Sequence, residues 1–140
     1  MTTRATLVLQ AINELSREPF AYGACDCCLF AARVIGHVTG RDMTFGHKNY
    51  TEAEAEAVLA RAGGLRAFVT NLLGPEADKM ATEDGDPLLM HIMTVGKDGH
   101  AAPQDTIGVR TGDYAAYKTR RGVGRLPLEL DAVLCGWRVN

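Results

Sequence analysis

The change of hydrophobic period at Pro87 restricts this chain more than any other feature of it. Before Pro87, apolar side chains recur at helical spacing. After it, short β-branched segments bounded by turn residues take over. Helices first and strands afterwards predict an α+β fold, with N-terminal helices packed on a small antiparallel C-terminal sheet.

In the first half, Leu7, Val8, Ala11, Ile12 and Leu15 form one apolar stripe, ending before Pro19. A second helix is expected from Cys27 to Thr39, stopped by Gly40, with Ala31, Val34, Ile35 and Val38 on its buried face. Residues 41–50 show little periodicity and read as a loop. Thr51 with Glu54 fits a capping box for a third helix running through Leu59 and Ala62 to Gly63-Gly64. A short fourth helix, Leu65 to Leu73, stops at Gly74-Pro75. Strands are expected at Leu88–Val95, Thr106–Arg110, Asp113–Lys118 and Ala132–Val139, with Lys97-Asp98-Gly99 as a hairpin-type turn.

A length of 140 residues predicts one domain, 1–140, large enough to bury a core. The 15 basic and 17 acidic residues nearly balance, which argues against a nucleic-acid partner. No stretch approaches the roughly 20 apolar residues that span a bilayer, so no membrane insertion is expected. The start, Met1-Thr2-Thr3-Arg4, leads into the amphipathic stretch without a signal peptide's apolar core, which predicts synthesis into the cytoplasm. There the four cysteines are expected as reduced thiols, three of them crowded at Cys25, Cys27 and Cys28.

Cys27 is placed where a nucleophile gains most. At a helix N-terminus, unpaired amides and the helix dipole stabilise a thiolate, and later an oxyanion. Asp26 would cap the helix, but its charge works against that thiolate. The plainer reading of Cys27 is a small buried residue at a tight junction. Cys25 and Cys28 also make a Cys-x-x-Cys, the spacing of a thiol redox pair or of half a zinc site that Cys135 and one histidine would have to complete.

The run Pro19-Phe20-Ala21-Tyr22-Gly23, then Asp26-Cys27-Cys28-Leu29-Phe30-Ala31-Ala32, then Thr39-Gly40-Arg41-Asp42 resembles a family of small proteins encoded in bacteriophage and prophage tail gene clusters. That family is similar to a distant branch of the NlpC/P60 superfamily of papain-like cell-wall peptidases. Gly85-Asp86-Pro87-Leu88-Leu89 resembles the turn into that superfamily's first strand, Ile107-Gly108-Val109 its His-x-Gly-Ile strand, and Ala132–Val139 its closing strand.

The resemblance implies a papain-like NlpC/P60-type fold with Cys27 as the nucleophile. The slot of the catalytic histidine, aligned by Gly108, holds Thr106, which cannot act as a base near neutral pH. His100, in the turn Gly99-His100-Ala101, is the nearest substitute; His37, His47 and His91 are poorer, and His91 reads as a structural strand histidine. The catalytic set so implied is Cys27, His100 and Asp26, with no cofactor and no metal.

The expected function is a structural or assembly component of a phage tail tip, carried in the virion, with a degenerate cysteine site. Its partners would be other tail proteins and, at the cell wall, peptidoglycan. Tyr114 and Tyr117 would serve an interface or simply pack the sheet. The alternatives are an active peptidoglycan endopeptidase or amidase using Cys27, and a redox or zinc module using Cys25, Cys27 and Cys28.

Overall fold

The computed structural model describes residues 3–139; Met1 and Thr2 of the N-terminal reading, and Asn140, lie outside the described residues. Four helices come first: α1 (Arg4–Leu15), α2 (Cys27–Thr39), α3 (Glu52–Ala62) and α4 (Leu65–Leu73). A 3-10 turn, Lys79–Ala81, leads to β1 (Pro87–Val95), β2 (Ala101–Thr111), β3 (Tyr114–Thr119), β4 (Gly122–Pro127) and β5 (Val133–Gly136). The strands form one antiparallel sheet in the order β4-β3-β2-β1-β5. The class is α+β, as the change of period requires.

The helices end where their capping chemistry dictates. Thr3 caps α1 by accepting the Thr6 amide, and Asp26 caps α2 by accepting that of Leu29. Gly40 closes α2 at φ 74°, where a side chain would be strained. The capping box of α3 is present in both directions between Thr51 and Glu54. Yet α3 buries none of its residues fully, and so forms a rim beside the core.

Strand alternation divides the core between the two sheet faces. Leu89, Ile107, Val109 and Ala116 meet Val8, Ile12, Phe30 and Val34 of α1 and α2, with Trp137 fully buried among them. Leu88, Met90 and Ala115 point the other way, against Leu128 and Val133. Each fully buried side chain of this size contributes about 1.5–3 kcal/mol relative to exposure.

One buried carboxylate fastens both ends of the described chain to the start of β1. Asp86 accepts from Arg4 Nη2 at 3.1 Å, from Arg138 Nε at 3.2 Å, and from the amides of Glu83 and Val139 at 2.9 and 3.0 Å. Two cations and two amides satisfy a charge that would otherwise be costly to bury. The Gly-Asp turn therefore matters for assembly of the sheet rather than for chemistry.

Candidate functional site

The start of α2 is held by a clasp centred on Asp26. Its buried carboxylate accepts from the Leu29 amide at 2.9 Å, the Gly23 amide at 3.1 Å and the Tyr50 hydroxyl at 2.5 Å. Asn49 donates its amide to the Gly23 carbonyl at 2.8 Å. Gly23 has φ +78°, and a Cβ there would lie 2.3 Å from the Tyr50 carbonyl oxygen, so only glycine lets these two segments meet. Burial, and then the bond to Asp26, push the Tyr50 phenol well up, which keeps it protonated as a donor. Asp26 thus organises the site, and all three of its bonds are structural.

Cys27 is the first residue of α2, half-buried behind that clasp. The Cys28 thiol, with Sγ–Sγ 4.0 Å, lowers the Cys27 pKa by donating to its sulfur, and the amides of Ile107 and Cys28 act in the same direction. Burial and the Asp26 charge oppose them. The bond to Cys27 and burial push Cys28 well above the ordinary thiol range. Cys27 is therefore the thiol of this pair that ionises first. The Leu29 amide goes to Asp26 Oδ1, the Phe30 amide to the Asp26 carbonyl and the Cys28 amide to the Cys27 sulfur, leaving that of Cys27 at the open helix end.

Cys27 opens into a cleft of about 820 Å³ between the sheet and α3. His91 and Asp105 line the same cleft. They face each other across the β1–β2 ladder, with His91 Nδ1 2.8 Å from Asp105 Oδ1. That contact engages Nδ1 and leaves Nε2 as the ring nitrogen turned away from the carboxylate. His91 shares the sheet face of Leu89, and Leu89 pairs with Ile107, whose amide acts on Cys27. Two residues along a strand amount to about 6.7 Å. The imidazole therefore lies on the sheet face of Leu89 and Ile107, about one strand repeat along β1 from the level of the Ile107 amide.

Of the other sequence positions, His100 falls outside the cleft, whereas Thr106 lies on its bank but on the other sheet face. His100 stands on the β1–β2 turn with its side chain 87% exposed and its Nδ1 3.0 Å from Asp98 Oδ2; it does not line the cleft. Thr106 pairs with Met90 and shares that residue's sheet face, opposite to the face of Leu89 and Ile107. A side chain at 106 is thus turned from Cys27 by the strand's alternation. As a strand histidine, His91 carries no local mark in the sequence. The available signal was its parity with Leu89.

The remaining thiols do not gather around Cys27. All four cysteines are free. Cys25 is buried on the inner side of the junction, and burial raises its pKa. Cys135 lies on β5, where burial pushes it to about 11 and its thiol contacts Glu76 Oε2 at 3.6 Å. Among the described residues, no three His, Cys, Asp or Glu side chains come together as a metal-binding group. Nor is any described helix long and apolar enough to cross a membrane.

No curated protein and no solved structure matches the chain significantly. The family model of DUF6950, described as a domain of unknown function, matches residues 2–139, and the chain belongs to that family.

Proposed function

We propose that this protein is a cysteine hydrolase of papain-like, NlpC/P60-type organisation, cleaving amide bonds in cell-wall peptides from a phage or prophage tail. One observation carries the reading: a thiol of lowered pKa at a helix N-terminus and a carboxylate-oriented histidine open into the same cleft. Cys27 attacks the peptide carbonyl as a thiolate, its proton having passed to His91. The Cys27 amide, at the open end of α2, receives the oxyanion. As the tetrahedral adduct collapses, the C–N bond breaks and His91 returns the proton to the leaving amine. Water, deprotonated by His91, then releases the acyl group and restores the thiol. Asp105 holds the imidazole in place throughout.

The test is the pH dependence of Cys27 alkylation by iodoacetamide, mapped by mass spectrometry in the wild type, His91→Ala and His100→Ala. The expected midpoint for wild type lies below the free-cysteine value of about 8.5. It moves up in His91→Ala and stays in place in His100→Ala. A Cys27 that titrates as a free cysteine and ignores His91 refutes the hydrolase. That outcome would leave the second reading, a structural tail-tip component with a degenerate site. The observation favouring this second reading is Thr106, turned from the thiol in the slot where the resembled enzymes carry histidine.

A further inference from the structure

The sheet divides beside Cys27. β2 pairs with β1 all the way from Ala101 to Val109, but with β3 only through Val109, Arg110 and Thr111. β3 continues instead with β4 as far as Thr119. From Ala101 to Gly108 the outer edge of β2 has no strand partner among the described residues. The cleft lies in this fork, with Asp105 and Thr106 on one bank, Lys118 and Thr119 on the other, and Cys27 at its head.

The ladder register says which groups that edge presents. The Arg110 amide donates to the Asp86 carbonyl, and the Gly96 amide to that of His100, so even-numbered residues bond inward between β1 and β2. Odd-numbered residues point outward. On the far side of β1 the His91 amide accordingly reaches the Ala132 carbonyl. The outward residues of β2 are then Ala101, Pro103, Asp105 and Ile107. Pro103 occupies an outward position, where its missing N–H breaks no ladder bond. The Ile107 amide is turned to Cys27. The amide and carbonyl of Asp105 and the carbonyls of Pro103 and Ile107 have no main-chain partner among the described residues.

We infer that the outer edge of β2, from Ala101 to Ile107, docks an extended peptide, which adds to the sheet as a strand and passes its backbone along the Cys27 sulfur. The occupant is peptidic because the edge offers a donor and acceptors at the strand repeat, about 6.7 Å, which an extended polypeptide matches and a sugar chain does not. The edge is about 20 Å long, room for some six extended residues. Alternate side chains of the guest point toward Cys27 and α3, and the others toward the face of Thr106 and Gln104. The inference rests on the hydrolase reading for what happens at the sulfur, but docking at the edge is a separate property.

The two are separated by tethering. An acetyl-tetra-alanine peptide, carrying a C-terminal cysteamine activated as its pyridyl disulfide, is attached to Cys27 of the wild-type protein and the site confirmed by mass spectrometry. A methylthio adduct, made with methyl methanethiosulfonate, is the control. The Asp105 amide is expected to exchange about tenfold more slowly in the peptide adduct than in the control. A peptide N-methylated at every residue should lose that protection. Equal exchange in the two adducts overturns the inference, as does equal protection by the N-methylated peptide. It is also overturned if Cys27 takes the methylthio group but not the peptide, because the fork then has no room for a chain. Protection at Asp105 together with a His91-independent thiol would keep the docking edge and discard the hydrolase.

Discussion

Replacing Asp26 with asparagine should make the protein less stable and Cys27 more acidic, two changes that come from different atoms of one side chain. Asparagine keeps an oxygen for the Leu29 amide, so the cap of α2 survives. Its NH₂ group, however, replaces Oδ2, which accepts from both the Gly23 amide and the Tyr50 hydroxyl. A buried donor left without its acceptor costs about 1–3 kcal/mol. The charge acts on the thiolate separately. Neighbouring residues place two such charges on the order of 5–7 Å apart, a repulsion of about 2–3 kcal/mol at an effective dielectric near 20. Screening where the cleft opens to solvent reduces that repulsion without changing its sign, so its removal moves the thiol midpoint down. The assays are urea unfolding and the pH profile of iodoacetamide capture at Cys27. The expected pair of results is a lower urea midpoint at unchanged slope and a thiol midpoint moved down. A thiol midpoint that moves up would refute the reasoning, since it would mean that Asp26 supports the thiolate rather than opposing it.

Other consequences follow from the fold. Asp86→Ala leaves Arg4 and Arg138 without their shared carboxylate and two amides without an acceptor, which should cost about 3–5 kcal/mol in chemical unfolding, with Asp86→Asn in between. Gly23→Ala forces a Cβ to 2.3 Å from the Tyr50 carbonyl at a positive φ, so the loop must move; about 1–3 kcal/mol should be lost, with faster proteolysis near residues 41–50. Stability should also fall at alkaline pH. Burial raises Cys135 to about 11, and Cys25 and Cys28 are raised as well, so between about pH 8.5 and 11 the unfolded chain releases protons that the folded one retains. The stabilisation is complete below the unfolded thiol pKa and is lost as pH rises through the folded one. Thermal unfolding from pH 8 to 11 should show a falling midpoint, less steep in Cys135→Ala.

The helices were legible because each carries its period and its stop signals together: the Asp26 cap and Gly40 for α2, the Thr51–Glu54 box for α3, Gly74-Pro75 after α4. The strands were legible where the core fills both faces, as at Leu88–Met90 and Ile107–Val109. Gly122–Pro127 was not anticipated as a strand. With two glycines and a proline in six residues it lacks β propensity, and it is held as an edge by its ladder to β3. β2 begins five residues earlier than the expected Thr106, because Ala101–Asp105 are extended by pairing with β1 rather than by a core of their own.

Legibility of the site divides along the same line. Cys27 and Asp26 are neighbours at a helix start, so local sequence specifies both the thiol's position and the helix cap. The placement of His91 depends on sheet register, which sequence spacing near the thiol does not encode. Counting from Gly108 points to Thr106, and nearness along the chain points to His100. The ladder puts the first on the face of Met90 and the second on an exposed turn. Parity arguments made from the core are stronger: Leu89 and Ile107 face α2, so His91 and Asp105, two residues further along each strand, must face the same way. Had β1 slipped by one residue against β2, Ile92 would oppose Asp105 and no histidine would face the cleft from β1. The buried Leu89–Ile107 pair, which holds that register, is therefore what places the imidazole on the side of Cys27. A polar substitution at Leu89 should disturb thiol reactivity even though its side chain lies in the core and not among the residues that line the cleft.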